Sequence, residues 1–250
     1  MTKIDYSHAG NVHTLDGPRI ALPILLELTH SQSILDVGCG RAFWLKAALD
    51  LGIANVFGVD GVDINPSDLL IPKSLFQVQD LTQLMHLGRK FDLALCLEVG
   101  EHLYSQFASV LIETLTTHAD TVVFSAACPG QEGQHHVNGQ WPAYWQKLFN
   151  DRGFACFDEL RDRIWDESGI EPWYRQNLFI ARRAEPGQAG MEQRIIARVH
   201  PGVIEGIVNT SIHQHDALVE AGGMPFSWYL KLPFTVFGGR FARLLRHKIS

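Results

Sequence analysis

The chain has 250 residues, of which 46% are hydrophobic and 19% are charged. This composition describes a globular chain that is long enough to bury a full core, and it excludes a disordered or fibrous protein. The formal net charge of −6 excludes the basic surface that bulk nucleic-acid binding requires, and we find no apolar run of the length that crosses a bilayer.

The first predicted elements are an irregular arm and a helix. Residues 1–17 are polar, and we expect them to form an N-terminal arm without regular structure. Pro18 follows, and proline is favoured in the first turn of a helix because its missing N–H is not needed there. Apolar residues from Ile20 to Leu28 then predict a helix that ends near His30.

A short apolar strand, a glycine turn and a helix come next. Ile34–Val37 predicts the strand, Gly38 and Gly40 the turn, and 42–49 the helix. Glycine allows positive φ and a close approach of a ligand to the backbone. Asp36 places a negative charge at this turn, where it would repel a pyrophosphate and attract an ammonium group or a ribose hydroxyl. The pattern therefore favours a cationic ligand that carries adenosine over a dinucleotide.

Two further strands are predicted to end in acidic residues. Asp60 closes the strand over 55–60, about 20 residues after the glycine turn, and this spacing is typical of a residue that binds ribose hydroxyls. The alternative is that Asp60 caps a turn before Gly61. Asp80 follows a strand over 74–78, and we expect a helix over 81–87 that Asp80 would cap.

The fourth predicted strand leads into a group of ionisable residues. The stretch 91–97 is apolar apart from Asp92, as in a strand buried on both faces. Glu98, Glu101 and His102 follow within about one turn, and two carboxylates with an imidazole are suitable ligands for Mg²⁺ or Mn²⁺. Two alternatives stay open. In one, Glu98 contacts a cofactor while Glu101 and His102 orient the next helix; in the other, His102 is a general base without a metal.

The sequences I-L-D-V-G-C-G from Ile34 and F-D-L-x-x-x-x-E-V-x-E-H-L from Phe91 resemble the class I S-adenosylmethionine-dependent methyltransferases. The E-V-x-E-H motif is similar to a branch that includes ubiquinone-biosynthesis O-methyltransferases and small-RNA 2′-O-methyltransferases. In the RNA-methylating members this motif binds a metal together with a histidine from a later loop. The resemblance implies that Asp36, Gly38 and Gly40 contact the methionine end of the cofactor, and that Asp60 and Gly61 contact its ribose. It implies that Asp80 and Leu81 contact the adenine. It also implies that Glu98 contacts the cofactor. It also implies that Tyr6 and His13 belong to a lid, unless the arm is a plain surface segment.

A glycine-rich loop follows a predicted helix over 107–117 and a fifth strand over 120–126. The pattern G-Q-x-G-x-x-H-x-N-x-Q-W-P-x-Y-W, which starts at Gly130, resembles small bacterial methyltransferases of sugar, polysaccharide and secondary-metabolite pathways. His136 is the histidine that matches this pattern, whereas His135 has no counterpart. Because histidine titrates near neutral pH, His136 is our first candidate for the base and His102 the second. The alternative is a surface loop stabilised by local turns.

The remaining elements complete a seven-stranded sheet. We expect a helix over 141–152, a sixth strand over 154–160 and a seventh over 177–182, which the resemblance places antiparallel between the fifth and sixth. The segment 161–175 contains Trp165, Trp173, Tyr174 and several arginines. It either forms a pocket for a sugar or an anionic acceptor, or covers the edge of the sheet.

The predicted organisation is an arm over 1–17, a methyltransferase domain over 18–183, a linker over 184–190 and a C-terminal extension over 191–250. The extension shows an apolar alternation around 203–208 and a basic amphipathic stretch over 234–249. That stretch would contact a membrane surface or would pack on its own domain or on a second subunit, so an oligomer is one expectation.

We therefore expect an α/β protein with a doubly wound, seven-stranded, mostly parallel sheet, a Rossmann-like methyltransferase fold. The expected reaction is methyl transfer from S-adenosylmethionine to a hydroxyl of a small molecule, sugar or glycan, with His136 as the base and His102 and Glu101 beside it. One alternative is a metal-dependent O-methyltransferase of a diol or a nucleic-acid ribose, and we expect the metal-free form in preference to it. Another is a cofactor-binding subunit without catalysis. We find no signal peptide and no C-x-x-C pair, so we expect a cytoplasmic protein with reduced thiols.

Overall fold

The computed structural model describes residues 6, 8, 13–219, 227 and 230. Its seven strands are β1 (Ser33–Val37), β2 (Asn55–Asp60), β3 (Phe76–Val78), β4 (Leu93–Leu97), β5 (Thr121–Ser125), β6 (Phe154–Phe157) and β7 (Phe179–Arg183). They form one sheet in the order β3-β2-β1-β4-β5-β7-β6. Strands β1 to β5 pair in parallel, and β7 is antiparallel to both β5 and β6. The predicted fold class and the position of the seventh strand are thus confirmed.

Within residues 13–219, the α-helices that flank or follow the strands are α1 (Asp16–Thr29), α2 (Phe43–Asp50), α3 (Ala108–His118), α4 (Pro142–Asn150), α5 (Arg161–Ile164), α6 (Pro172–Asn177) and α7 (Pro201–Val219). Local sequence explains several boundaries. Helix α1 has Asp16 in its first turn and ends where His30 adopts a left-handed conformation. Helix α4 begins at Pro142, the position at which proline costs no hydrogen bond.

The sheet is buried on both faces, as a doubly wound fold requires. Every residue of β1 and of β4 is buried. Ile34 packs in one core cluster with helix residues such as Leu22 and Leu45, whereas Leu35 and Val37 pack in the other cluster with Leu111 and Phe124. Side chains of a strand alternate between its faces, so one short apolar segment supports both halves of the core.

The helix predicted over 81–87 is wrong, because that segment contains turns and irregular backbone. The Asp80 carboxylate accepts hydrogen bonds from the backbone N–H of Thr82 (2.9 Å) and from its hydroxyl (2.6 Å), which favours a turn over a helix. The backbone N–H of Leu87 donates to His118 Nε2 at 3.0 Å. Side chains thus satisfy backbone groups that a helix would have paired internally.

Smaller differences lie in the second half of the chain. Strand β6 is shorter than predicted, and β7 begins at Phe179 because α6 occupies the preceding residues. The alternation around 203–208 lies within α7 and not in an extended segment.

The predicted basic stretch over 234–249 lies outside the described residues. Among the residues that are described, no helix has both the length and the apolar character needed to cross a bilayer.

The chain divides into two compact units, and the first, which ends at Val203, contains the whole sheet. Residues 191–200 have no helix or strand, yet Ile195 is buried and Glu192 bonds to groups of α4 and β6. This part of the predicted extension therefore contacts the sheet-bearing unit. Of the second unit the structure describes the remainder of α7 and residues 227 and 230.

Candidate active site

A cavity of about 340 Å³ lies where the glycine turn after β1 and the segment after β4 meet. In parallel α/β sheets, ligands bind at this carboxyl edge. Four groups of residues line the cavity: Tyr6, His8, His13, Thr14 and Pro18 from the N-terminal part; Asp36, Gly38, Cys39, Gly40, Arg41, Phe43 and Trp44 around the glycine turn; Leu97, Glu98, Glu101 and His102 with Gln131, Glu132, Gly133, Gln134 and His136; and Glu171, Trp173 and Tyr174.

The glycine turn requires glycine at Gly38 for two reasons. Its φ is +81°, and a Cβ atom there would lie 2.3 Å from Val99 Cγ2. The Gly38 N–H donates to the carbonyl of Val59 at 2.7 Å, which holds the turn against the end of β2. Gly40 also has a positive φ, +52°. Both glycines line the cavity, so a ligand bound there can approach the backbone of this turn closely.

Asp60 also holds the glycine turn that follows β1. Its Oδ2 accepts a hydrogen bond from the Gly40 N–H and its Oδ1 one from the Val62 N–H, both at 2.8 Å. His8 Nε2 lies 3.3 Å from Oδ1, so a residue of the arm reaches this carboxylate. The bond from the Val62 N–H spans Gly61 and agrees with the turn cap that the sequence offered as the alternative, whereas the bond from the Gly40 N–H was not predicted. Asp60 is not among the cavity-lining residues, and its ribose contact stays a prediction.

Asp36 is 2% exposed and lies on the wall of the cavity. Burial, and to a smaller extent the charge of Asp60, raise the pKa of its carboxyl group to about 8. A carboxylate in this position gains much from a cationic partner, because a positive charge offsets the cost of ionising a buried group. Asp36 is therefore suited to the ammonium group of a ligand.

The other predicted cofactor residues lie farther along the sheet edge. Gly61, Asp80 and Leu81 are not among the residues that line the cavity. Leu81 is buried at 9% exposure, and the Asp80 carboxylate is bonded to Thr82. The structure therefore brings Asp36, Gly38, Gly40 and Glu98 together, and the adenine contacts of Asp80 and Leu81 stay predictions.

Glu98 is held by two side-chain amides for which the sequence predicted no role. Its Oε2 accepts from Gln131 Nε2 at 2.9 Å and its Oε1 from Asn177 Nδ2 at 3.2 Å. Burial nevertheless raises the pKa of Glu98 to about 7. Gln131 belongs to the glycine-rich loop that the sequence singled out, whereas Asn177 was predicted only as the first residue of a strand. No pattern in the sequence identified Asn177.

Glu101 is fully buried. Among the described residues, neither of its carboxylate oxygens has a hydrogen-bond partner of normal geometry. Burial and the charge of Glu98 raise the pKa of Glu101 well above its ordinary value, although the backbone groups of Glu101 and Ala127 act in the opposite direction. An unpartnered buried carboxylate is costly. The site therefore suits a bound cation.

His102 and His136 complete the cluster. Their ring centroids are 5.1 Å apart, and one ligand atom from each of Glu101, His102 and His136 lies within 4.8 Å of the other two. Burial, then the neighbouring His136, lower the pKa of His102 to about 4, and burial lowers the pKa of His136. Both imidazoles are therefore neutral at pH 7, the form that binds a metal or accepts a proton.

The tautomer of His136 follows from its hydrogen bond. Its Nδ1 lies 2.8 Å from the carbonyl oxygen of Gln131. A carbonyl oxygen only accepts, so Nδ1 carries the proton and Nε2 keeps its lone pair. Such an outer hydrogen bond is the usual way in which a metal-binding or basic histidine is oriented.

Aromatic rings form another wall of the cavity. His13 lies 6.3 Å from both Phe43 and Trp173, and Trp173 contacts Tyr174 at 6.1 Å between ring centroids. The arginines of the segment 161–175 do not line the cavity. Arg161, for example, is buried and bonds to Asp158 and to the carbonyl of Gln176. The segment thus contributes the aromatic residues Trp173 and Tyr174 to the cavity and none of its arginines, and its role as an acceptor pocket or as a cover for the sheet edge stays a prediction.

The four cysteines, Cys39, Cys96, Cys128 and Cys156, are free and buried, as expected for reduced thiols. His135 lies beside Tyr104, with ring centroids 6.1 Å apart, and is not among the cavity-lining residues.

Comparison with known proteins supports the fold. No family model matches the chain, and no curated protein matches its sequence. Among solved structures, the methyltransferase domain of bacterial CtHen1-C is 16% identical with a TM-score of 0.51, over 69% of this chain and 100% of that one. DesVI from Streptomyces venezuelae is 14% identical with a TM-score of 0.51, over 68% of this chain and 93% of that one.

CalS10, an amino pentose methyltransferase of calicheamicin biosynthesis from Micromonospora echinaspora, was solved with S-adenosylmethionine bound. It is 14% identical with a TM-score of 0.51, over 71% of this chain and 94% of that one. At such identities the likeness is one of fold. The chain has the class I fold of the S-adenosylmethionine-dependent methyltransferases.

Proposed function

We propose that this protein transfers a methyl group from S-adenosylmethionine to a hydroxyl of a small molecule or glycan, with a divalent cation held by Glu101, His102 and His136. The observation that carries the proposal is the convergence of these three side chains. Their ligand atoms lie within 4.8 Å of one another in the cavity that the glycine turn also lines.

The fold and the glycine turn support the cofactor. Gly38 and Gly40 expose backbone at the carboxyl edge of β1, and Asp36 offers a buried carboxylate to the ammonium group of the methionine part. Asp60 holds the turn in place. This part of the proposal agrees with the roles that the sequence predicts for Asp36, Gly38 and Gly40.

The donor set supports the cation. Two neutral imidazoles and one carboxylate without a hydrogen-bond partner among the described residues suit Mn²⁺, and also Mg²⁺ where oxygen atoms of the acceptor and water complete the shell. When bound, such an ion supplies a positive charge that lowers the pKa of an acceptor hydroxyl. The chain's own residues orient the site, because Gln131 fixes the tautomer of His136 and, together with Asn177, the carboxylate of Glu98.

The acceptor class follows from charge and from the donor set. A divalent ion binds two neighbouring oxygens of one acceptor well, which favours a diol such as a sugar. A nucleic-acid ribose carries the same diol, but the net charge of −6 would oppose the phosphates beside it. We therefore favour a small molecule or glycan.

A second candidate is the same transfer without a metal, with His136 as the base. It is favoured by the hydrogen bond from His136 Nδ1 to Gln131, which leaves Nε2 free to accept the hydroxyl proton. His102 is the alternative base, since its imidazole is also neutral at pH 7, although its low pKa makes it the weaker base. A cofactor-binding subunit without catalysis is the competing class.

The decisive experiment measures binding before activity, because the acceptor is unidentified. Calorimetry should show binding of S-adenosylhomocysteine and of Mn²⁺ to the full chain. Glu101→Gln should weaken Mn²⁺ binding at least tenfold while leaving S-adenosylhomocysteine binding nearly unchanged. Glu185→Gln, at an exposed position, is the matched control and should change neither affinity.

Activity on a panel of sugars and diols then separates the two candidates. We expect methyl transfer to stop in EDTA and to return with Mn²⁺ or Mg²⁺. Full activity in EDTA would contradict the metal. In that case His136→Asn should reduce turnover by roughly 10²–10⁴ without loss of cofactor affinity.

A further inference from the structure

Glu171 presents a further carboxylate to the cavity, on the wall formed by the start of α1, by α2 and by α6. It precedes α6 but makes no capping hydrogen bond to that helix. Its carboxylate instead reaches the first turn of α1, where a Cβ atom on Gly17 would lie 2.1 Å from Oε2. The side chain is therefore directed away from its own helix.

This carboxylate has no hydrogen-bond partner of normal geometry among the described residues, although both oxygens are buried. Burial raises the pKa of Glu171. Its own backbone and the backbone of Thr14 act in the opposite direction, the charge of Asp16 adds to the increase, and the Thr14 side chain again acts against it. Removing both oxygens of a carboxylate from water costs free energy, unless a cation or several hydrogen-bond donors interact with them.

The rings beside Glu171 are suited to a cation as well. His13, Phe43, Trp173 and Tyr174 line the same wall, in a continuous series of ring contacts. Cations bind favourably over the faces of tryptophan, tyrosine and phenylalanine. Burial, then the neighbouring His8, lower the pKa of His13, so its imidazole is neutral at pH 7 and does not neutralise Glu171.

The charges of the cavity leave Glu171 unbalanced. Five acidic residues are among the described residues that line it: Asp36, Glu98, Glu101, Glu132 and Glu171. Arg41 is the one lysine or arginine in that set, and its Nε donates to the carbonyl of Asp68 at 3.1 Å. In the proposed function the cofactor accounts for Asp36 and the divalent ion for Glu101, while Glu98 accepts hydrogen bonds from Gln131 and Asn177. Glu132 is exposed to solvent. This leaves Glu171, a half-buried residue whose two carboxylate oxygens are buried, without a counter-charge.

We propose that the methyl acceptor carries a protonated amino group, and that Glu171 binds this group against the aromatic wall. The acceptor class is thus an amino alcohol or amino sugar, with a hydroxyl to be methylated and a cationic nitrogen. The inference rests on the proposed function, since it takes this cavity as the acceptor site. Glu171 determines specificity in this scheme, and the transfer itself does not involve it.

The test compares cationic probes with uncharged ones of the same shape. Glucosamine and glucose form one pair, and choline and 3,3-dimethylbutan-1-ol form a second pair in which no sugar ring is required. Calorimetry on the full chain, with and without S-adenosylhomocysteine, should show that the cationic member of a pair binds at least tenfold more tightly. Glu171→Gln should bind the two members of each pair with about equal affinity.

Glu167→Gln is the matched control, because Glu167 lies four residues earlier and is exposed; it should keep the preference. A purely structural role for Glu171 predicts instead a lower melting temperature with equal losses for the charged and uncharged probes. The proposal is overturned if neither pair shows a preference in the wild type, or if Glu171→Gln keeps it. Binding of S-adenosylhomocysteine and Mn²⁺ by Glu171→Gln, measured separately, reports on the proposed function alone.

Discussion

At the scale of single residues, burial changes the protonation state that the sequence suggests for Asp36. A carboxylate at the end of β1 is expected to be ionised, since the ordinary pKa of aspartate is near 3.8. Burial and the charge of Asp60 raise its pKa to about 8. Without a cationic ligand, Asp36 is therefore protonated at neutral pH, and ligand binding is coupled to loss of that proton.

This shift predicts how stability depends on pH. Between about pH 4 and pH 8 the unfolded chain has Asp36 ionised while the folded protein keeps it protonated, so the group's contribution to stability falls as the pH rises. Asp36→Asn does not titrate. The variant should therefore gain in unfolding free energy relative to the wild type by roughly 1 kcal/mol per pH unit from pH 5 to pH 7.

Denaturant unfolding of the two proteins without ligand, at several pH values, measures this difference directly. Asp166→Asn, which replaces an exposed aspartate, is the control and should follow the wild type at every pH. A constant difference between Asp36→Asn and the wild type would show that Asp36 is ionised in the folded protein.

At the scale of elements, the glycine turn connects β1, β2 and the segment after β4. Gly38 bonds to β2 through Val59, and its Cα faces Val99. Gly52, which follows α2, has a similar φ of +88°, but no described atom lies within 4 Å of the position of its Cβ. The two glycines therefore differ in packing and not in backbone conformation.

Alanine at these two positions should separate strain from packing. Gly52→Ala should cost about 1–2 kcal/mol of unfolding free energy, which is the price of a left-handed conformation for a residue with a side chain. Gly38→Ala should cost a further 1–3 kcal/mol because of the contact with Val99, and it should weaken S-adenosylhomocysteine binding, whereas Gly52→Ala should not.

The double variant Gly38→Ala/Val99→Ala tests the cause. Removal of the Val99 methyl groups should restore part of the stability and of the ligand affinity. Equal effects of the two single glycine changes would contradict the role of the Val99 contact.

At the scale of the whole molecule, residues 191–200 lie across α4 and β6 and connect these elements through hydrogen bonds. Glu192 Oε1 accepts hydrogen bonds from Gln146 (2.8 Å), Asn150 (2.7 Å) and the Cys156 N–H (3.1 Å). The carbonyl of Ile196 accepts from the buried guanidinium of Arg161 at 2.8 Å. A chain that ended at the predicted linker would remove these acceptors. Gln146 Nε2 would lose both of its acceptors, whereas Asn150 would keep the carbonyl of Phe154 and Arg161 would keep Asp158.

Truncation tests where the folded unit ends. A chain that ends at Gly190 should lose several kcal/mol of stability, because each buried donor left unpaired costs about 1–3 kcal/mol. A chain that ends at Val203, where the first unit ends, should melt within a few degrees of the full protein and should bind S-adenosylhomocysteine with similar affinity. Similar melting temperatures for the two truncated chains would support the sequence-based boundary. In the full chain, Glu192→Ala should reproduce part of the loss.

Local sequence determined the parts of this protein that depend on neighbouring residues. The apolar runs of β1 and β4, the glycine turn after β1 and the proline at the start of α4 each specify their element through steric and solvation preferences that act over a few positions. The same locality explains the wrong helix over 81–87. Its helix-like pattern was outweighed by hydrogen bonds from Thr82 to Asp80 and from Leu87 to the distant His118.

The candidate site was determined only in part by sequence. The motif that contains Glu98, Glu101 and His102 was recognisable, and so was the loop with His136, but nothing in the sequence shows that their ligand atoms approach within 4.8 Å. Asn177 and Glu171 lie far along the chain from these motifs and carry no local signal. Tertiary structure decided their place, because burial, pKa and hydrogen-bond partners depend on which distant segments the strand order β4-β5-β7 brings to one edge of the sheet.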